Sequence, residues 1–258
     1  MRSLAIQIKT LQVYLTHGCR CQLHNHRRLQ RKRIILGYDT SIPLHQAKNA
    51  MHMENSVIFE VTNVCSNGPF AAVDKIHARC DMNTDGGGWM VIQRRVANRT
   101  ENFNRPWEDY EEGFGSLDGE FWYGLRNIHC LASREDVELR IDIKYSNGTD
   151  EAWTYQLFQV AGPEDKYHLQ IGSGEGAAYD SLAYLNGSQF STHDQDNDRN
   201  AGLHCASTFH GGWWHNDCFF SHLNGPNIQW FDGRRTHYVP YVEMKIRPKT
   251  CTNAETCN

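Results

Sequence analysis

No apolar run in this 258-residue chain approaches the eighteen or more residues that a bilayer-spanning helix needs. An integral membrane protein is therefore not expected, and the length suits one large soluble domain or two small ones. None of the nine cysteines forms a Cys-x-x-Cys pair, which argues against a zinc ribbon or a thioredoxin-like site. Gly-x-Ser-x-Gly, His-Glu-x-x-His and phosphate-loop motifs are absent. Gly172-Ser173-Gly174-Glu175-Gly176 does not follow a strand and open a helix, as a dinucleotide site must, so no enzyme class is indicated. Internal repeats are also lacking. Residues 1–54 hold neither Gly-X-Y triplets nor heptads, so a collagen-like or coiled-coil route to trimers is not encoded there.

Basic residues are scarce outside the first fifty positions. Residues 1–50 contain nine Lys and Arg against the single acid Asp39, which leaves 17 bases against 29 acids for the remaining 208 residues. A body that acidic offers no phosphate-neutralising face, and nucleic acid is not an expected partner. Residues 1–54 read as a basic, poorly ordered segment. Its mildly apolar start, residues 1–16, makes a weak export signal because Gln7, Lys9 and Gln12 interrupt it. Other features do point outside the cell. Nine cysteines is many for a cytosolic protein, and sequons begin at Asn98, Asn147 and Asn186 in polar, loop-like stretches. A secreted, disulfide-bonded glycoprotein is expected.

From Asn55 the chain acquires strand character. Val57–Val61, Ile76–Cys80 and Trp89–Gln93 read as strands, the last preceded by the turn Asn83-Thr84-Asp85-Gly86-Gly87-Gly88. Short aromatic-anchored segments follow at Trp107–Tyr110 and Phe121–Leu125, the second predicting a helix through Ile128. Glu138–Tyr145 alternates with period two, Ala152–Val160 offers another strand, and Thr236–Arg247 a last one. Residues 170–235 show almost no periodicity. Irregular stretches of that length within a compact domain are usually functional, or tied down by metal and disulfide.

Within that stretch, Asp194, Asp196 and Asp198 place three carboxylates inside five residues, where mutual repulsion calls for a cation, and calcium is the natural oxygen-seeking one. The spacing is not that of an EF-hand, since Arg199 and Cys205 stand where Gly and Glu would be required.

Several blocks together carry a recognisable pattern. They are Cys80-Asp81-Met82-Asn83-Thr84-Asp85-Gly86-Gly87-Gly88-Trp89, Phe103-Asn104-Arg105-Pro106-Trp107, Gly119-Glu120-Phe121-Trp122, Phe190-Ser191-Thr192-His193-Asp194-Gln195-Asp196-Asn197-Asp198, Trp213-Trp214 before Cys218, His222-Leu223-Asn224-Gly225, and Val242-Glu243-Met244-Lys245-Ile246-Arg247-Pro248. In this order, over residues 55–248, the chain resembles fibrinogen C-terminal (fibrinogen-related) domains. That resemblance implies an α+β fold: a small N-terminal subdomain, a central twisted antiparallel sheet with packed helices, and a loop-rich, calcium-binding C-terminal subdomain. The expected organisation is a basic segment at 1–54, the domain at 55–250 and a Cys-containing tail at 251–258.

The resemblance also implies a site. Calcium would be held by the carboxylates of Asp196 and Asp198 and the main-chain carbonyls of Asn200 and Gly202. Cys205 would pair with Cys218; the family pairs the Cys80 position with a cysteine nearly thirty residues earlier, but the nearest here is Cys65, fifteen earlier, and Cys65–Cys80 is the expected pair. A cis peptide is implied at Asp217-Cys218, where lectin-like members bind acetylated sugars, so Asp217, Cys218, Phe219, His215 and Phe209 are the candidate ligand residues. Trp213 and Trp214 are expected in the core. Two departures stand out: Phe219 replaces the usual His, and only Pro226 and Asn227 remain where the family inserts about a dozen residues along the pocket wall. Cys251 with Cys257 could close a small ring, and an odd cysteine total leaves one thiol free or linking chains into a disulfide-bonded oligomer. The implied function is a secreted recognition protein, either a ficolin-like or tachylectin-like lectin for acetylated glycans or an adhesion, matrix or receptor ligand that binds an extracellular protein.

Overall fold

The computed structural model describes residues 56–62, 75–97, 100–134, 136–176 and 179–249. The expectations for 1–54, for the 251–258 tail, for Cys65 and for Asn98 lie outside them.

The strands in chain order are β1 (Ser56–Thr62), β2 (Lys75–Asp81), β3 (Trp89–Arg95), β4 (Phe114–Gly115), β5 (Phe121–Trp122), β6 (Val137–Lys144), β7 (Asp150–Tyr155), β8 (Phe158–Val160), β9 (Leu169–Ile171), β10 (Gly174–Gly176), β11 (Ser221–His222), β12 (Gln229–Phe231), β13 (Thr236–Tyr238) and β14 (Tyr241–Pro248). Among the described residues there are also three helices, α1 (Trp107–Glu112), α2 (Leu125–Arg134) and α3 (Cys205–Phe209), and three short 3-10 turns.

Nine strands form one antiparallel sheet in the order β1-β2-β3-β14-β6-β7-β10, with β5 paired to β3 and β4 to β5. The last strand among the described residues, β14, thus lies in the middle, between β3 and β6. Period-two alternation explains why it fits there. Val242, Met244 and Ile246 stand opposite Ile143, Ile141 and Leu139. All six belong to one buried apolar cluster with Leu125, Ile128 and Leu131 of α2. Glu243, Lys245 and Arg247 point to the other face, opposite Asp142, Arg140 and Glu138.

That other face is not solvated. Glu243, Lys245 and Arg247 are all nearly buried, and each is matched by an opposite charge. Arg94 Nε donates to Glu243 at 2.9 Å, Lys245 Nζ to Asp81 at 2.7 Å and also to Asp142, and Arg247 to Glu138 at 2.7 Å. Arg247 also lies 4.1 Å over the Trp89 ring. Burial works against the Asp81 ion, but the Lys245 ammonium and the Thr84 hydrogen bonds outweigh it and hold its carboxyl below the usual range.

Two expected strands are divided. Ala152–Val160 breaks at Gln156-Leu157, so that β8 leaves the main sheet and pairs with β9. Thr236–Arg247 breaks at Val239-Pro240, which separates β13 from β14. Proline lacks the N–H a central ladder needs, so β13 joins a separate three-stranded sheet, β11-β12-β13. The Phe121–Leu125 segment is strand first and helix second, with α2 running on to Arg134.

Lys245 gives a direct check of the charged face. Replacing it with Met leaves Asp81 buried without its cation, while the half-buried Asp142 keeps Arg140 at 2.8 Å, and urea denaturation is expected to show a loss of about 3–5 kcal/mol. A loss under 1 kcal/mol would mean that the ladder contributes little.

Candidate functional site

After β10 the chain leaves the main sheet and returns at β14, and the intervening loops hang on a few buried polar anchors from β3 and α1. Gln93 Nε2 donates to the Leu223 carbonyl at 3.2 Å and to Asn224 Oδ1 at 3.1 Å. Arg95 donates to the carbonyls of Leu223 and Gly225 at 3.2 and 2.9 Å, and its Nε pairs with Glu120 at 3.0 Å. The Tyr110 hydroxyl accepts the Gly212 N–H at 3.0 Å and donates to the Phe103 carbonyl at 2.7 Å. Trp213 and Trp214 are fully buried, and Trp214 Nε1 donates to the Tyr167 carbonyl at 2.8 Å. Both tryptophans are core, as expected.

On this support the acidic run divides its labour. Asp194 faces α1, where its Oδ1 accepts the Trp107 amide at 3.0 Å and the Thr192 hydroxyl at 2.6 Å. Burial opposes its charge, yet those two donors hold its carboxyl below the usual range. Asp196, Asp198 and Asn200 instead form a run of side-chain-closed turns. Asp196 Oδ1 accepts the Asp198 N–H at 3.2 Å, Asp198 Oδ1 the Asn200 N–H at 2.9 Å, and Asn200 Oδ1 the Gly202 N–H at 2.9 Å. The second oxygen of Asp198 accepts the Cys205 N–H at 2.8 Å. Burial first, and then the neighbouring Asp196 carboxylate, push the Asp198 carboxyl up. Among the described residues no three His, Cys, Asp or Glu side chains converge on one point. A cation here would rest on two carboxylates and main-chain carbonyls, the donor set of a hard ion.

The run is fastened to the candidate binding loop in three ways. Cys205 and Cys218 form a disulfide across thirteen positions, with Cα atoms 5.4 Å apart. Arg199 N–H donates to the Asn216 carbonyl at 3.0 Å, and Asn200 Nδ2 donates to Asp217 Oδ1. The Asp217-Cys218 peptide is trans, contrary to expectation, as are all peptides among the described residues. The turn is closed instead by the Asn216 N–H donating to the Cys218 carbonyl at 2.8 Å, and by the Tyr184 hydroxyl donating to the Asp217 carbonyl at 3.1 Å. No cis bond, with its cost of roughly 3–4 kcal/mol, is needed for this closure. Cys80 and Cys130 each take part in a disulfide too, not with one another.

Of the other candidate residues, Asp217 is exposed, and Phe209 and Phe219 are half-buried, their rings 5.0 Å apart edge to face. His215 is fully buried and supports the loop from below. Its ring lies 4.9 Å from that of His222, and Phe219 packs 4.8 Å from His222. Among the described residues neither His222 nitrogen has a hydrogen-bond partner, nor has His215 Nδ1. Burial depresses His215 to about 4 and holds His222 well below its usual range, with His215 adding to the latter. The pair was not legible in the sequence, because His222 reads there only as part of a motif. A cluster of four rings beside the loop was missed as well. Phe220 lies 4.4 Å from Tyr184, 5.3 Å from Phe231 and 5.9 Å from Tyr179, and both Phe220 and Tyr179 are exposed.

Two measurements follow. The folded state takes up fewer protons than the unfolded chain below the ordinary histidine value of 6.5, so this contribution is fully present above that pH. It is lost as pH falls from there towards about 4, and the melting temperature is expected to decline over that window, less steeply in His222→Leu. An equal slope in that variant would remove the pair as the cause. Replacing Cys205 and Cys218 together with Ala is expected to cost about 3 kcal/mol in denaturant unfolding, from the entropy the closed loop takes out of the unfolded chain.

Known proteins of similar sequence and fold identify the family. The profile of the family described as "Fibrinogen beta and gamma chains, C-terminal globular domain" matches residues 60–249. Human Tenascin-R is 40% identical over 215 residues, which are 79% of this chain but 15% of that protein. Techylectin-5A of Tachypleus tridentatus is 39% identical over 190 residues, 68% of this chain and 65% of its own length. The fibrinogen-like globe domain of human ANGPTL2 superposes with a TM-score of 0.68 at 33% identity, covering 78% of this chain and 97% of that one. With the family profile matched over residues 60–249 and relatives near 40% identical, the chain belongs to the fibrinogen C-terminal domain family.

Proposed function

We propose that this chain is a secreted recognition domain, a calcium-stabilised lectin that takes acetylated glycans at the loop around Asp217 and Cys218. The supporting observation is mechanical. The acidic run and the candidate binding loop share a disulfide, a main-chain hydrogen bond and the Asn200–Asp217 side-chain bond, so that an ion held by one fixes the other. Asp196 and Asp198 would supply carboxylates to calcium, and Asn200 and Gly202 their carbonyls. When bound, the ion neutralises two adjacent carboxylates and fixes the oxygens around it. Phe209 and Phe219 would offer an apolar face to an acetyl methyl or a sugar ring, beside the polar groups of Asp217 and Asn216. Similarity to Techylectin-5A favours the same reading.

A protein partner is the second reading, and the Tyr179, Tyr184, Phe220 and Phe231 cluster favours it. Exposed aromatic groups of this kind are enriched at protein interfaces.

The test is retention of the purified, glycosylated protein on N-acetylglucosamine beads. Retention is expected in calcium, with elution by free N-acetylglucosamine and loss in excess chelator and in Asp198→Asn. At saturating calcium the melting temperature should rise by roughly 5–10 °C, a rise that Asp198→Asn abolishes. A preparation that melts higher with calcium yet passes through the beads would set the lectin reading aside in favour of the protein partner.

A further inference from the structure

The hairpin joining β6 to β7 lies on the opposite side of β14 from β3, and it carries a second site. Tyr145 N–H donates to the Thr149 carbonyl at 2.9 Å and Gly148 N–H to the Tyr145 carbonyl at 2.9 Å, which closes a tight turn followed by a bulge. Gly148 supplies the positive φ of +85° that this turn needs, and a side chain there would meet nothing within 4 Å. Within the turn, Asn147 Oδ1 accepts the Thr149 N–H at 2.9 Å. That bond fixes the carboxamide of an exposed Asn-Gly-Thr sequon and leaves Nδ2, the atom a glycan uses, without a hydrogen bond among the described residues.

Tyr145, Ser146, Asn147 and Thr149 line one wall of a cavity of about 390 Å³. Its far wall comes from the loop subdomain: Asp232, Arg235, His237 and Tyr238. The cavity has the size and the mixture of a saccharide site. Tyr145 is held in place, since its hydroxyl donates to Glu151 at 2.9 Å and its ring meets His237 at 5.1 Å. Tyr238 is 62% exposed. Between the two rings, His237 pairs with Asp232 at 2.7 Å, and the Arg235 guanidinium has no ion pair among the described residues.

We propose that Asn147 carries an N-linked glycan whose innermost N-acetylglucosamine occupies this cavity. The apolar face of the sugar packs on Tyr145, while its polar groups are served by the Asp232, Arg235 and His237 wall. Attachment joins Asn147 Nδ2 to the anomeric carbon of a lipid-diphosphate-linked oligosaccharide in an oligosaccharyltransferase. The lipid diphosphate leaves and one amide proton is released. The sugar then bridges the β6–β7 hairpin to the β12–β13 hairpin, and so ties the central sheet to the loop subdomain by a route independent of the disulfide. The Asn186 sequon is exposed at its Asn too, but it is tied to a neighbouring strand and its hydroxyl is buried. Its Oδ1 accepts the Ile171 N–H at 3.0 Å, and its Ser188 is 1% exposed. The inference rests on the chain entering the secretory route, and not on the lectin reading.

The experiment uses the full chain from mammalian cells restricted to oligomannose glycans. Mass spectrometry measures occupancy at Asn147. Melting temperatures are compared for the intact glycoprotein, for protein trimmed by endoglycosidase to a single N-acetylglucosamine at each site, and for Asn147→Gln treated in the same way. The intact and trimmed forms are expected to melt together, both about 2–4 °C above Asn147→Gln. Tyr145→Leu should cost the trimmed protein about 2–4 °C more than it costs the Asn147→Gln background, as a double-mutant cycle detects. Tyr238→Ala repeats the cycle on an exposed ring if Tyr145→Leu fails to fold. An unoccupied Asn147, equal melting with and without the sugar, or equal losses in the two backgrounds would each overturn the proposal. Binding to N-acetylglucosamine beads is read separately, so loss of the lectin reading leaves this result standing.

Discussion

The position of β14 between β3 and β6 is the constraint on which the other elements depend. A strand with apolar residues on one face and Glu243, Lys245 and Arg247 on the other fits a sheet interior only if neighbouring strands present opposite charges in register. Asp142 and Glu138 do so from β6, Arg94 from β3 and Asp81 from β2. A slip of one residue would exchange the two faces and place three charges against the apolar cluster. Register is therefore fixed more strictly here than apolar burial alone would require, and with it the point from which the loops leave and to which they return.

Since the loop subdomain has little regular structure, its shape comes from polar attachment to that sheet. Gln93 and Arg95 project from β3, and Tyr110 from α1, to meet main-chain groups of Gly212, Leu223 and Gly225. The acidic run and the Asp217 loop are one step further out, tied to each other more closely than to the sheet. Such a layered arrangement suits recognition, because surface loops can differ in sequence while the anchors beneath them stay in place.

Much of the fold was legible from the residues. Period-two alternation in Glu138–Tyr145 and Tyr241–Ile246 gave β6 and β14, and the ordered blocks gave the family and the loop disulfide. Less legible were features set by tertiary packing. The break at Gln156-Leu157 has no local breaker, and β8 leaves the sheet because it pairs with β9 over α2. The break at Pro240 was announced by the proline itself and was read through. His215 with His222, and the four-ring cluster, bring together residues from separate segments, which no periodicity reveals. At Asp217-Cys218 the implied cis bond gave way to a trans turn held by Asn216 and Tyr184.

Placing the final strand at the centre of the sheet also governs the order of assembly during synthesis. Until residues 241–248 have emerged from the ribosome, β3 and β6 each present an unpaired edge, and the charges on Asp81, Arg94, Asp142 and Glu138 lack the partners that β14 supplies. The nascent chain must carry those open edges through the making of the whole loop subdomain, a state exposed to edge-to-edge association. Closure of the sheet is then a late, long-range event, and truncation of even the last strand would remove the middle of the protein rather than its margin.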